Sequence, residues 1–371
     1  MNTANEKQLS TKQLIALVVI IGLGLNMLNL PTLSVMEGGR DGWLVMLFIT
    51  AFDCLSLFLT LLVMEKLEGL SFGEKAAKAL KITLGAVGYI WGLGKLLLLM
   101  GETRLFYGGT VFENLDWLVF LVILGVLVAI MGAGGSRALG RLGELALPIA
   151  VLTAAILVVT TYVGDINFSD VFPTLYDNPD AIRSPLKLAM WMGNYPVLFA
   201  FFGSVKLKKS TKYFALGAGA LTGLTASVLT LPMAATYGSI THLIAYGNNA
   251  SDMNQFVGSY NFGRIDLIIY TVWSVVLLIE TGVFQYACVR AASCVIGVYK
   301  PMIYSFSTSL IVYILLNTAL SCKFKLFEFA TKYASLPAAA IGVALPVLAA
   351  ATVAVLYLVK NRKSRSKESH E

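Results

Sequence analysis

The sequence predicts an all-α polytopic membrane protein: about ten spanning helices in two inverted sets of five, with the first and sixth helices broken. Three observations predict it. Of the 371 residues 57% are hydrophobic and only 13% are charged, about half the charge of an average soluble domain. The apolar residues run in long continuous blocks rather than alternating with period two. That excludes a barrel and leaves helices as the way to satisfy backbone polar groups in lipid. Finally, blocks one and six each carry a cluster of residues that weakens a helix.

Blocks of the roughly 20 residues needed to cross the hydrocarbon core lie near 13–36, 43–64, 84–111, 117–133, 139–163, 186–205, 213–237, 265–296, 301–321 and 336–359. They divide the chain into an N-terminal segment 1–12, a first five-helix repeat 13–163, a loop 164–185, a second repeat 186–359 and a tail 360–371. The tail is charged, lacks apolar residues and is expected to be disordered. Block one has no small-residue cleavage site after it and is expected to remain a helix, not a signal peptide.

Orientation follows from the basic residues of the short loops. One side collects Lys7 and Lys12; Lys66, Lys75, Lys78 and Lys81; Arg137 and Arg141; Lys206, Lys208, Lys209 and Lys212; and Arg290, Lys300 and the tail. The other side is poorer, so both termini are expected to be cytoplasmic. The same clustering accounts for the net charge of +7 without a nucleic-acid partner. Ser71 followed by Glu74 is a capping-box pattern, which predicts an amphipathic helix on the cytoplasmic membrane surface. The loop 238–264 is long enough for a short lid helix.

Cys54, Cys288, Cys294 and Cys322 have no metal-type spacing with His242 and His370. They read as small apolar packing residues without a disulfide role. No His-Glu-x-x-His or phosphate-binding Gly-rich signature occurs, so neither an enzyme, a metal site, a cofactor nor an ATP-driven pump is expected.

Block one reads Ile20-Ile21-Gly22-Leu23-Gly24-Leu25-Asn26-Met27-Leu28-Asn29-Leu30-Pro31, and block six reads Trp191-Met192-Gly193-Asn194-Tyr195-Pro196. Glycine loosens a helix, and proline removes an amide and clashes one turn back. A matched pair of such clusters five helices apart points to a ligand site at the two breaks, formed by Gly22, Gly24, Asn26, Gly193, Asn194 and Tyr195. Close helix packing is the alternative reading of each cluster alone. It is the preferred reading of Gly88 with Gly92 and of Gly219 with Gly223.

A charge inside a span is costly, which makes each a functional candidate. Lys95 in span three and Glu280 in span eight both fall near mid-bilayer. In an inverted-repeat bundle they would face each other, either holding the two ends of a zwitterionic amino acid, relaying a proton, or forming a structural ion pair. Asp53 sits halfway along span two, where it serves a pathway or pairs with a neighbouring helix. Glu102, seven residues after Lys95, lines an entry path or marks a solvated helix end. Arg141 and Glu144 at the start of span five are either an inner gate or positive-inside anchoring.

Several stretches resemble the spore germination permeases, the B-subunits of nutrient germinant receptors, within the amino acid–polyamine–organocation (APC) transporter superfamily. They are Leu9-Ser10 with Gln13-Leu14, the glycine-rich first span to Leu30-Pro31, Gly39-Arg40-Asp41-Gly42-Trp43, Arg141-Leu142-Gly143-Glu144 with Pro148, and Phe262-Gly263-Arg264-Ile265-Asp266 with Trp273. The resemblance implies a LeuT-like fold and a receptor in the spore inner membrane. It further implies a larger membrane A-subunit and a C-subunit lipoprotein as partners, with this chain recognising a small nutrient, commonly an amino acid. It says nothing of Lys95 or Glu280, whose roles rest on the physical argument. A proton-coupled amino acid permease acting on its own is the alternative.

Overall fold

The computed structural model describes residues 9–67, 74–110, 116–162, 166, 168–172, 174–175, 179–205, 207–237, 265–319, 323–342, 344–348 and 351. Among them every regular element is a helix. In order these are α1 (Thr11–Leu28), α2 (Leu30–Gly38), α3 (Gly42–Leu67), α4 (Glu74–Thr110), α5 (Trp117–Ala133), α6 (Gly135–Thr161), α7 (Ser184–Lys187), α8 (Lys209–Tyr237), α9 (Ile265–Ile296) and α10 (Pro301–Thr318). A bent pair, Lys325–Tyr333 and Ser335–Leu348, follows with an angle of 52°. Six described stretches are long and apolar enough to cross a membrane, and the bent pair makes a seventh. Two shorter apolar helices, Thr11–Gly24 and Trp117–Ala133, and the irregular stretch 188–201 account for the remaining blocks.

Local chemistry sets several helix ends. Ser10 and Gln13 form a reciprocal cap on α1: the Ser10 amide donates to Gln13 Oε1 at 3.1 Å and the Gln13 amide to Ser10 Oγ at 3.2 Å. Asp116 caps α5 by accepting the Leu118 amide at 2.9 Å. Gly135, at φ +82°, makes the turn from α5 into α6, a backbone conformation that costs a side chain about 1–2 kcal/mol. Asp41 is buried and accepts the Leu175 amide at 3.1 Å, tying the loop after α6 to the start of α3.

The surface helix expected around 65–82 is not a separate element. From Glu74 onward it is continuous with span three, giving a helix of 37 residues, about 55 Å long. No proline lies between Glu74 and Gly85 to stop it. Ser71, the lid segment 238–264, Cys322 and the tail lie outside the described residues.

α4 packs chiefly along α9, α3 along α8, and α1 against α8, α6 and α9. Small residues permit the closest approaches. A Cβ on Gly219 would lie 2.6 Å from Leu57, and one on Gly223 would lie 2.5 Å from Thr50, so this pair serves α3–α8 packing. Against α9, Gly85 of α4 faces Ala291 and Gly92 faces Cys288, whereas Gly88 faces open space. Of the expected Gly88–Gly92 pair only Gly92 makes a close contact, and its companion is Gly85, two turns away. Outward-facing Leu118, Val122, Ile123 and Ile130 of α5 and Leu310 and Ile314 of α10 are exposed, as a lipid-facing surface requires.

Candidate functional site

The interior of the bundle holds a polar cluster built around a stretch of backbone that is not helical. After the single turn of α7, residues 188–194 belong to no helix, Gly193 adopts φ +68°, and a 3-10 turn runs from Tyr195 to Phe201 with Pro196 in its first turn. Every residue from Leu188 to Leu198 is buried. Buried backbone groups without a helical partner must be satisfied in another way. Here the partners come from two other helices, α3 and α4, and from the segment itself.

Lys95 of α4 supplies the donors. Its Nζ donates to Met190 O at 2.7 Å, to Met192 O at 2.6 Å and to Asn194 Oδ1 at 2.7 Å. These use all three N–H groups of the ammonium, and the side chain is fully buried. The acceptor for the segment comes from α3, where Asp53 Oδ1 takes the Gly193 amide at 2.6 Å. Asn194 Nδ2 turns back to Trp191 O at 3.2 Å.

Span one behaves differently from span six. α1 stays helical through Gly22, Gly24 and Asn26 to Leu28, and the interruption falls at Asn29, after which α2 starts at Leu30 with Pro31 in its first turn. The two glycines act through their lack of a side chain. A Cβ on Gly24 would overlap the Glu280 carboxylate, and one on Gly22 would overlap Thr222 Oγ1 and lie 2.7 Å from Tyr195 Oη. Trp273 Nε1 donates to Gly24 O at 3.0 Å. The side chain of Asn26 lies outside the described residues.

Lys95 and Glu280 therefore bear on different spans. Lys95 in span three grips the unwound segment of span six, whereas Glu280 in span eight, also fully buried, lies against span one at Gly24. This arrangement is the exchange that two inverted repeats generate.

Toward the Thr110 end of α4, Glu102 joins both broken spans. It accepts from Asn29 Nδ2 at 2.5 Å and from Trp191 Nε1 at 3.3 Å. Farther along, Lys187 of α7 pairs with Glu37 of α2 at 2.7 Å, and Ser184 Oγ donates to Glu37 O at 3.2 Å. Arg141 and Glu144 lie away from this cluster, exposed at the start of α6. Glu144 accepts from Gln13 Nε2 at 3.3 Å, and nearby the Leu9 amide donates to Ser204 O at 2.7 Å.

Sequence reasoning did not assign Thr222 to the site, and nothing in an apolar span marks one threonine over another. Trp191 and Trp273 entered it only as parts of motifs. Their indole N–H groups, which when buried need acceptors, were the available signal.

Two mutants of the manganese transporter of Eremococcus coleocola resemble this structure, each with a TM-score of 0.59 and 13% or 12% sequence identity, over 91% of this chain and 77% of theirs. That likeness gives the fold, a LeuT-like transporter bundle. No curated protein is similar enough in sequence to match. The family model for the spore germination protein covers residues 8–321, nearly the whole bundle from the α1 cap through α10, and the chain belongs to that family of spore germination permeases.

Proposed function

We propose that this permease-family membrane protein is the nutrient-sensing subunit of a spore germinant receptor. It binds a small amino acid where α1 meets the unwound stretch 188–194 and passes the resulting conformational bias to partner subunits. The observation that carries the reading is that stretch itself: seven buried residues of non-helical backbone, held by Lys95 and Asp53 inside a helical bundle. Transporter folds place substrates at such interruptions, because unwound backbone there offers polar groups to a ligand. Gly22, Gly24, Asn26, Asn194 and Tyr195 flank the site, and Glu280, set against Gly24, faces the amino group of the bound nutrient. Lys95 and Asp53 give Gly193 and its neighbours their shape.

In this reading the two repeats are 13–163 and 186–359, both termini are cytoplasmic and the membrane is the spore inner membrane. The ties from Glu102 to Asn29 and Trp191 then close the outer face. A larger membrane A-subunit and a lipoprotein C-subunit receive the signal.

The test is reconstitution of the purified chain into liposomes with an imposed proton gradient and radiolabelled glycine, alanine, serine and proline. A sensor binds one of them saturably without sustained accumulation. Gradient-driven accumulation well above the binding stoichiometry would overturn the reading in favour of a proton-coupled permease acting alone.

A further inference from the structure

The Lys95 contacts have the form of an ion site with its ion attached to the protein. Three uncharged oxygens, Met190 O, Met192 O and Asn194 Oδ1, converge at 2.6–2.7 Å on one positively charged nitrogen. Two of them are carbonyls released by the unwinding of span six, the type of ligand that replaces the hydration shell of a small monovalent cation in channels and transporters. A carboxylate lies beside the site, since Asp53 accepts the amide of Gly193, between Met192 and Asn194, and the Trp91 ring centroid lies 5.8 Å from the nitrogen. The point is fully buried.

We infer that Met190 O, Met192 O and Asn194 Oδ1 form a binding site for a small monovalent cation, either an alkali ion or a primary ammonium, and that Lys95 fills it permanently from α4. A resident ammonium cannot be exchanged. The unwound segment therefore keeps its shape without any ion gradient, and the protein has no use for a diffusible cation at this position. A lysine that merely caps two carbonyls makes a different prediction. Removing it would weaken the protein, but no ion would restore what was lost. The inference is independent of which nutrient binds, or whether one does.

The experiment uses the full chain in detergent at constant ionic strength, with choline chloride replaced stepwise by sodium, potassium or n-butylammonium chloride, and reads the thermal unfolding midpoint. Wild type should shift by less than ~1 °C among the four salts. Lys95→Ala should start lower and recover saturably, by about 3 °C or more, in at least one of sodium, potassium or butylammonium. Recovery by an alkali ion assigns the vacated site to a metal ion, and recovery by butylammonium alone assigns it to an ammonium. Lys95→Met, whose unbranched stem refills the space, should show no recovery. A Lys95→Ala midpoint that is equal in all four salts overturns the inference. So does a saturable, ion-specific stabilisation of wild type, which would show the site open to exchange. Should Lys95→Ala fail to accumulate, the wild-type titration decides by itself, with indifference to the salts supporting the inference.

Discussion

The Asp53 carboxylate accepts the Gly193 amide at 2.6 Å, so a charge midway along α3 holds the unwound segment at its left-handed residue. Asp53→Ala leaves that amide buried without its acceptor, a loss of about 1–3 kcal/mol. Asp53→Asn keeps an oxygen at the same place and should lose less. The unfolding midpoint of both variants in detergent tests this. Equal losses would mean that the negative charge beside Lys95, rather than the acceptor atom, is what α3 contributes.

Gly193 itself has two reasons to be glycine. Its φ of +68° costs a side chain about 1–2 kcal/mol, and a Cβ there would lie 3.3 Å from the Gly342 backbone. Gly193→Ala should therefore weaken the protein moderately. Gly193→Leu adds bulk beside the unwound backbone and should abolish amino acid binding while the protein still reaches the membrane. Equilibrium binding at matched protein levels is the measurement, and normal affinity in Gly193→Leu would remove this segment from the ligand site.

Glu102 ties Asn29 to Trp191, and a bond to a charged acceptor contributes about 1.5–3 kcal/mol net. Glu102→Ala should raise hydrogen exchange across 188–194 by roughly tenfold or more, since each 1.4 kcal/mol of lost closure is a factor of ten in opening. Lys187→Ala breaks the neighbouring pair with Glu37, in which Lys187 is 61% exposed. A pair that open to solvent contributes about 0–1 kcal/mol, so its effect on exchange should be small. A larger effect from Lys187 than from Glu102 would place the closing contact at α7.

What was legible in the sequence follows from how local each signal is. The blocks 117–133 and 265–296 coincide with α5 and α9, because length and apolarity decide a span residue by residue. The interruption at Gly193 and Pro196 is equally local. Lys95, Glu280, Asp53 and Glu102 stood out because lipid penalises charge wherever it falls. Their partners did not, because a partner is a property of packing. Lys95 meets the carbonyls of Met190 and Met192, which no side-chain pattern marks. Asp53 reads in sequence as a pathway residue or a partner of a neighbouring helix, and only packing sets it against the Gly193 amide. Gly22 and Gly24 carry the same composition signal as Gly193 but act by absent volume in a helix that stays wound. Composition cannot distinguish a glycine that bends a chain from one that admits a neighbour.

That difference can be measured. A Cβ on Gly24 would overlap the Glu280 carboxylate, and one on Gly22 would overlap Thr222 Oγ1. Gly22→Ala and Gly24→Ala should each destabilise by about 1–3 kcal/mol, as overpacking does. Gly88, also within a helix, faces open space. There the same substitution should be neutral or stabilising by up to about 1 kcal/mol through helix propensity. Thermal midpoints of the three variants provide the comparison. Gly24→Ala should also weaken amino acid binding, because the added methyl displaces Glu280 from the α1 backbone against which the nutrient's amino group is held. A Gly24→Ala protein with both midpoint and affinity unchanged would show that Glu280 can swing clear, and its carboxylate would then not be fixed for ligand recognition.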